Sequence, residues 1–310
     1  MLARVLKSTG SWYEVETEDA IIYQARIRGK IRLSGHKHTN PVAVGDWVQI
    51  DPINDTEAQI TAIEPRSNYI IRRAVNLSKQ THIIASNIDM AYLLVAIRQP
   101  RSSTGFIDRF LVTAGAYDIP VTLVFNKIDL HTAEDNDEME YLQHVYTQAG
   151  YPTMAISSIE GTNLQPIIDQ LKDKVSLIAG HSGVGKSTLI NQLFPGLDLK
   201  TKNISDFNRK GQHTTTHAQM YKWPFGGYII DTPGIKEFGL VEIDRDELQD
   251  YFPEIFALKS ECKFYNCQHI QEPQCAVLKA VEEGELAPDR YQSYHTFYQE
   301  TDESSHTKGK

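Results

Sequence analysis

Gly180-His181-Ser182-Gly183-Val184-Gly185-Lys186-Ser187-Thr188 fits G-x-x-x-x-G-K-[ST] without a substitution. Val175-Ser176-Leu177-Ile178-Ala179 before it is apolar enough for a buried strand, and Leu189-Ile190-Asn191-Gln192-Leu193 after it opens a helix. In that context the pattern is a phosphate-binding loop. Its glycines let backbone N–H groups turn inward around an anion, and the helix N-terminus adds partial positive charge. Lys186 then reaches the β- and γ-phosphates, and the Ser187 hydroxyl ligates Mg²⁺.

Working upstream, Pro120-Val121-Thr122-Leu123-Val124-Phe125 reads as a strand that runs into Asn126-Lys127-Ile128-Asp129. This is N-K-x-D, a guanine-specificity motif. A carboxylate at Asp129 can accept from both the N1–H and the N2 amino group of guanine. Adenine offers neither there and would leave the charge unpaired, at a cost of about 1–3 kcal/mol or more. Asn126 ties loop and base together, and the Lys127 stem lies over the ring. Further on, Ile156-Ser157-Ser158-Ile159 matches the last guanine loop, with Ser158 where alanine is usual. The contact expected there is a backbone N–H to guanine O6, which a serine leaves intact.

Downstream, Lys210-Gly211-Gln212-His213-Thr214-Thr215-Thr216-His217 is a polar, switch-like segment whose threonine closes over Mg²⁺ when the γ-phosphate is present. Gly227-Tyr228-Ile229-Ile230-Asp231-Thr232-Pro233-Gly234 is a strand ending in D-x-x-G, with Asp231 holding Mg²⁺ through water and the Gly234 N–H sensing the γ-phosphate. The motif set is complete but rotated, with the guanine motifs ahead of the phosphate loop. A doubly wound sheet tolerates such cutting and rejoining, so residues 66–240 are expected to form a circularly permuted α/β GTPase domain, entered by a basic connector at 66–80. Ile235 follows Gly234, where many GTPases place a glutamine to orient water. Intrinsic hydrolysis is therefore expected to be slow. His213 is either the water-orienting group that a partner swings in or an ordinary loop residue, and the sequence does not choose.

Outside this domain the pattern changes. Residues 1–65 read as short strands, among them Ala20–Arg28, Lys30–Leu33, Gly45–Ile50 and Gln59–Ile63, closely spaced as in an OB-like barrel. Arg26, Arg28, Lys30 and Arg32 fall on one strand face, which is either an RNA contact or a solvated surface. The formal net charge of −9 opposes nucleic-acid binding in general, so any such contact rests on the acid-free stretch 26–38 and the connector. Residues 134–140 are acidic and precede a helix near 138–149. No window is apolar enough to span a membrane and no secretory leader is evident, so a cytoplasmic protein is expected.

Cys262-x4-Cys267-x-His269-x5-Cys275 collects all the cysteines of the chain and one histidine. Three thiolates and an imidazole suit tetrahedral, structural Zn²⁺. The flanks look helical, so a mostly helical zinc-binding domain is expected over 241–300, followed by a disordered tail at 301–310.

Together, the permuted order, the phosphate loop, Gly211-x-His213-Thr214-Thr215-Thr216, Asp231-Thr232-Pro233-Gly234-Ile235 and the cysteine–histidine cluster resemble the bacterial ribosome small subunit-dependent GTPase A (RsgA) family. The resemblance implies a monomeric factor that docks on the small ribosomal subunit and its rRNA late in maturation and leaves on GTP hydrolysis. It favours Thr215 for Mg²⁺ beside Ser187 and Asp231, with Thr214 left open; the expected catalytic residues are then Thr215, Lys186 of the phosphate loop and, if it is not an ordinary loop residue, His213. An OB–zinc RNA-binding module in which GTP only switches conformation is the competing reading.

Overall fold

The computed structural model describes residues 1–28, 41–73, 81–195, 218–231 and 243–306, and for 72, 73, 81, 82, 231 and 302–306 the backbone alone. The predicted strand at Lys30–Leu33, the switch threonines with His213, and Gly234 with Ile235 lie outside the described residues.

Strands β1 (Leu2–Thr9), β2 (Trp12–Thr17), β3 (Ile22–Ile27), β4 (Trp47–Pro52) and β5 (Glu57–Ile63) pair in the order β1-β2-β3-β5-β4. Pairing of β4 back to β1 closes the barrel. Alternate residues point inward, as strand periodicity requires: Ala3, Val5, Tyr13, Val15, Tyr23, Ala25, Val48, Ile50, Ala58 and Ile60 form its core. The sequence reading did not delimit β1 and β2, and β1 shows why. Both of its faces are covered, so consecutive apolar residues serve two cores. Val5 faces the barrel, and Leu6 packs into the central domain.

The connector contains more structure than expected. Tyr69–Arg73 is a strand, β6, paired antiparallel with β7 (Thr81–Ser86). Adjacent Ile70 and Ile71 point to opposite faces of the strand, and both faces are covered, Ile70 by the central core and Ile71 by Ala43 and Ile83. Arg66 is not a cation available to RNA. Its Nε donates to the fully buried Asp46 at 2.6 Å and its Nη2 to Pro41 O at 3.0 Å.

The central sheet runs β10 (Thr153–Ile156), β9 (Val121–Asn126), β8 (Met90–Val95), β11 (Val175–Gly180), β13 (Tyr228–Asp231) and β12 (Gln219–Lys222), parallel except for the β12–β13 hairpin. Strands buried on both faces read as continuous apolar runs. Leu93, Val95, Leu123 and Phe125 face helices α1 (Thr104–Ala116) and α2 (Ala133–Gln148). Leu94, Ala96, Val124 and Ile178 face α3 (Gln165–Leu171) and α4 (Lys186–Leu193). Helix α2 starts before the predicted 138, inside the acidic segment. Thr132 and Asp135 form a capping box, and carboxylates in the first turn suit the helix dipole. The barrel is continuous with this sheet through β1 and β12, where Lys7 stands opposite Gln219. Glu16 accepts from Tyr228 Oη at 2.5 Å across that seam.

The C-terminal region is helical, as expected: a 3-10 segment at Arg245–Tyr251, then α5 (Pro253–Leu258), α6 (Ala276–Glu282) and α7 (Pro288–His306). Helix α7 extends past residue 300 into the segment read as a tail. Thr301 is buried there, its hydroxyl donating to Phe297 O at 3.1 Å. Arg290 of α7, itself buried, donates to Asp108 of α1 at 2.5 Å and to Glu254 of α5 at 2.6 Å, pinning this region to the central domain.

Candidate functional site

The carboxyl ends of β8, β9 and β11 converge where the order of connection reverses, the place where open α/β sheets bind ligands. The phosphate-loop sequence leaves β11 here and enters α4. Gly180, at φ 141°, passes so close to β8 that a Cβ would lie 2.5 Å from Leu94 O. Gly185, at φ 108°, has less room still, since a Cβ would lie 2.2 Å from Asn126 Nδ2. Val184 is fully buried as the anchor of the loop. Lys186 bends back over it, Nζ donating to Gly180 O at 2.6 Å and to His181 O at 2.8 Å. Ser187 and Thr188 occupy the first turn of α4, half-buried. His181 packs its ring on Phe106 of α1, with centroids 3.6 Å apart. Burial, and secondarily Lys186, lower its pKa, which favours the neutral imidazole.

Asn126 joins the three motifs that the sequence placed far apart. Its Nδ2 donates to Val184 O of the phosphate loop at 2.9 Å. Its Oδ1 accepts from both the N–H (3.0 Å) and the hydroxyl (2.8 Å) of Ser158. Ser157 supports the other end of the motif, its hydroxyl donating to Asp129 Oδ1 at 2.6 Å. Ser158 therefore differs from expectation. Its N–H turns inward to satisfy the buried Asn126 amide, and its hydroxyl adds a bond that alanine lacks. Lys127 adopts a left-handed conformation, and its ammonium donates to Gln99 O in the loop after β8. Ile128 and Asp129 form a short 3-10 turn with Leu130, and both remain half-exposed. Asp231 ends β13 beside β11, so its backbone reaches the same edge of the sheet. No sequence signal marked Phe106 or Gln99, because their contacts join segments that are distant in the chain.

The second cluster lies among the C-terminal helices. Cys262, Cys267, His269 and Cys275 bring their ligand atoms within 4.8 Å of one another. Sulfurs at tetrahedral corners 2.3 Å from zinc would stand about 3.8 Å apart, and a sulfur and a nitrogen about 3.6 Å. Cys262 and Cys275 Sγ are 3.9 Å apart, and His269 Nδ1 is 3.5 and 3.3 Å from them. His269 Nε2 is hydrogen-bonded to Gln249 Oε1 at 2.9 Å, which leaves Nδ1 to face the sulfurs. Burial pushes the Cys267 thiol up to about 12, so forming a thiolate here would need a cation beside it. The residues fit a closed, four-coordinate zinc site. Gln249 was not legible as part of it, lying 20 positions from His269. Among the described residues no helix is long and apolar enough to cross a membrane.

Comparison with known proteins agrees with this geometry. A family model described as RsgA GTPase matches residues 63–241, and one described as RsgA N-terminal domain matches 3–60. The chain is 54% identical over 297 residues to a protein of Christiangramia forsetii named small ribosomal subunit biogenesis GTPase RsgA, covering 95% of this chain and 94% of that one. It is 50% identical to a Bacteroides fragilis protein of the same name, with 99% of each covered. Among solved structures, YjeQ from Thermotoga maritima superposes with a TM-score of 0.80 at 33% identity, covering 97% of this chain and 98% of that one. YloQ, described as a circularly permuted GTPase, superposes at 0.77 and 32%, covering 98% and 95%.

Proposed function

The chain belongs to the RsgA GTPase family, and from that premise we propose that it binds GTP with Mg²⁺, docks on the small ribosomal subunit and its rRNA during biogenesis of that subunit, and hydrolyses GTP there, in the cytoplasm and as a monomer. The observation that carries this reading is Asn126, which physically joins a guanine motif to a phosphate loop. Asp129, held by Ser157, reads the guanine edge. The loop from Gly180 to Thr188 cradles the phosphates, with Lys186 placed to leave its carbonyl partners for the γ-phosphate oxygens. Ser187, Thr215 or Thr214, and Asp231 would hold Mg²⁺, which neutralises phosphate charge. Gly234 senses the γ-phosphate, and His213 orients water in place of the missing glutamine. Exposed Arg26 and Arg28 at one end of the barrel are the cations offered to RNA. A structural zinc ion would hold the C-terminal loops. Single-turnover GTP hydrolysis with and without purified small subunits tests the reading. Acceleration by the subunit supports it, and equal rates favour an RNA-binding module in which GTP only sets conformation.

Two variants probe the nucleotide site. Asp129→Asn reverses one hydrogen-bond requirement, so GTP affinity is expected to fall roughly 10- to 100-fold while xanthosine triphosphate gains. Unchanged preference in competition binding contradicts the guanine assignment. Gly185→Ala combines a strained φ with overlap on Asn126. At about 1–3 kcal/mol of strain, a loss of roughly 10- to 100-fold in GTP affinity is expected by titration calorimetry, and wild-type affinity refutes the close approach.

A further inference from the structure

Exposed aliphatic side chains gather at one end of the barrel. Ile21 is 43% exposed, Ile22 50% and Ile53 65%. The turn before β3 and the turn before β5 meet there, because the two strands run parallel from this end. Gln24 stands opposite Glu57, and its N–H donates to Thr56 O at 2.8 Å. Met1 borders the same end, its ammonium donating to Ile50 O at 2.9 Å. The turn that presents Ile53 is built rather than loose, with Asn54 Oδ1 accepting from the N–H groups of Thr56 and Glu57 at 2.9 and 2.8 Å.

Around these isoleucines stand Glu18, Asp19, Asp51, Asp55 and Glu57, all exposed. Residues 12–25 and 49–65 contain no lysine or arginine. Lys222 approaches from β12, and Glu16 holds it at 3.3 Å. The other end of the barrel is the reverse in character. There β3 runs out through exposed Arg26 and Arg28, with Arg26 stacked 3.5 Å over the Trp12 ring. Single exposed isoleucines are ordinary, but several at one place inside a charged rim mark a contact surface.

We propose that this end of the barrel docks a basic protein segment of the small ribosomal subunit, which lays apolar side chains on Ile21, Ile22 and Ile53 and sets lysines or arginines against the acidic rim. The inference rests on the proposed association with that subunit. RNA is a poor occupant, since among the described residues its phosphates would meet a rim of carboxylates, and the cations named here, the Met1 ammonium and Lys222, already have partners in Ile50 O and Glu16. A second copy of the chain, at net charge −9, is opposed by like charge. A basic polypeptide is complementary in both respects. The barrel would then contact rRNA by its Arg26–Arg28 end and protein by the other.

The test uses the full chain with p-benzoylphenylalanine at position 53, irradiated with purified small subunits and a non-hydrolysable GTP analogue. The expected product is a cross-link that survives ribonuclease, is lost to protease and contains a basic subunit protein. A paired variant, Ile21→Ser with Ile53→Ser, is expected to weaken subunit binding about tenfold or more, with thermal midpoint and intrinsic GTP hydrolysis unchanged. Cross-links to rRNA alone, to a second copy or to nothing, or unchanged affinity of the paired variant, overturn the proposal while co-sedimentation of the unmodified chain upholds subunit association. Failure of the unmodified chain to co-sediment overturns both.

Discussion

Cys275→Ala is expected to bring zinc well below one ion per chain and to unfold the segment around residues 259–275, with the loss spreading into α6 and α7. Two of the four cluster residues, Cys267 and Cys275, also belong to the C-terminal hydrophobic core, together with Phe252, Ile255, Val277, Tyr294 and Phe297. Between the 3-10 turn at Lys259–Glu261 and α6 the chain has no helix or strand. Apart from the cluster, what holds it is Ile270, packed against the C-terminal core, and a few hydrogen bonds. Glu272 accepts from the N–H groups of Gln268 and Ile270 at 2.8 Å each, and Tyr291 and Tyr294 donate to His269 O and Gln268 O at 2.8 and 2.7 Å. Such bonds contribute about 1 kcal/mol each. Structural zinc contributes an apparent 10–16 kcal/mol at neutral pH, so the metal outweighs them. Gln249→Leu removes only the partner of His269 Nε2, and zinc affinity should then fall about 10- to 100-fold with the fold retained. Metal content by atomic absorption and hydrogen exchange over 243–306 check both. A full zinc complement in Cys275→Ala would mean that the cluster is not the metal site.

Arg290→Met should destabilise the whole chain by about 3–5 kcal/mol. The Arg290 side chain is 2% exposed and that of Asp108 fully buried. Burial alone would lower the arginine's pKa, and the carboxylates of Asp108 and Glu254 more than reverse this, so the guanidinium keeps its charge. Tyr146 of α2 also donates to Asp108 Oδ1, at 2.9 Å. Arg290 thus ties α7 and α5 to α1, and its partner Asp108 ties α1 to α2. Removing the arginine strands Asp108 without its counter-charge. The melting midpoint should fall by roughly 10 °C. Adding Asp108→Leu should recover much of the loss, because the stranded charge goes with it. A double variant no more stable than the single one would show that the cost is packing and not charge.

Much of the candidate site could be proposed from sequence because its chemistry is local. A phosphate loop carries its geometry in contiguous glycines, and the same holds for the N-K-x-D turn and the tight cysteine–histidine spacing. Their rotated order in the chain sufficed for a permuted sheet, since parallel strands buried on both faces read as plain apolar runs. The switch residues lie outside the described residues, so their roles rest on the sequence and the family.

Elsewhere the chain was ambiguous for identifiable reasons. Tyr69–Arg73 reads as a basic connector because two adjacent isoleucines break the apolar–polar alternation of a half-buried strand; the tertiary structure covers both faces of β6, so both are buried. Leu6 hid β1 in the same way, since the face opposite Val5 is covered by the central domain. Charge was harder still. Arg66 and Asp46 are 20 residues apart, and nothing local distinguishes a buried ion pair from an RNA-binding arginine. Ser158 reads as a harmless replacement until Asn126 is seen to need two donors. Which chemistry the chain performs was set by short motifs, whose backbone geometry is their own. Which charges stay free, which polar groups are satisfied and where apolar surface remains uncovered were decided by tertiary contacts alone, because pairing and burial join residues that sequence order keeps apart.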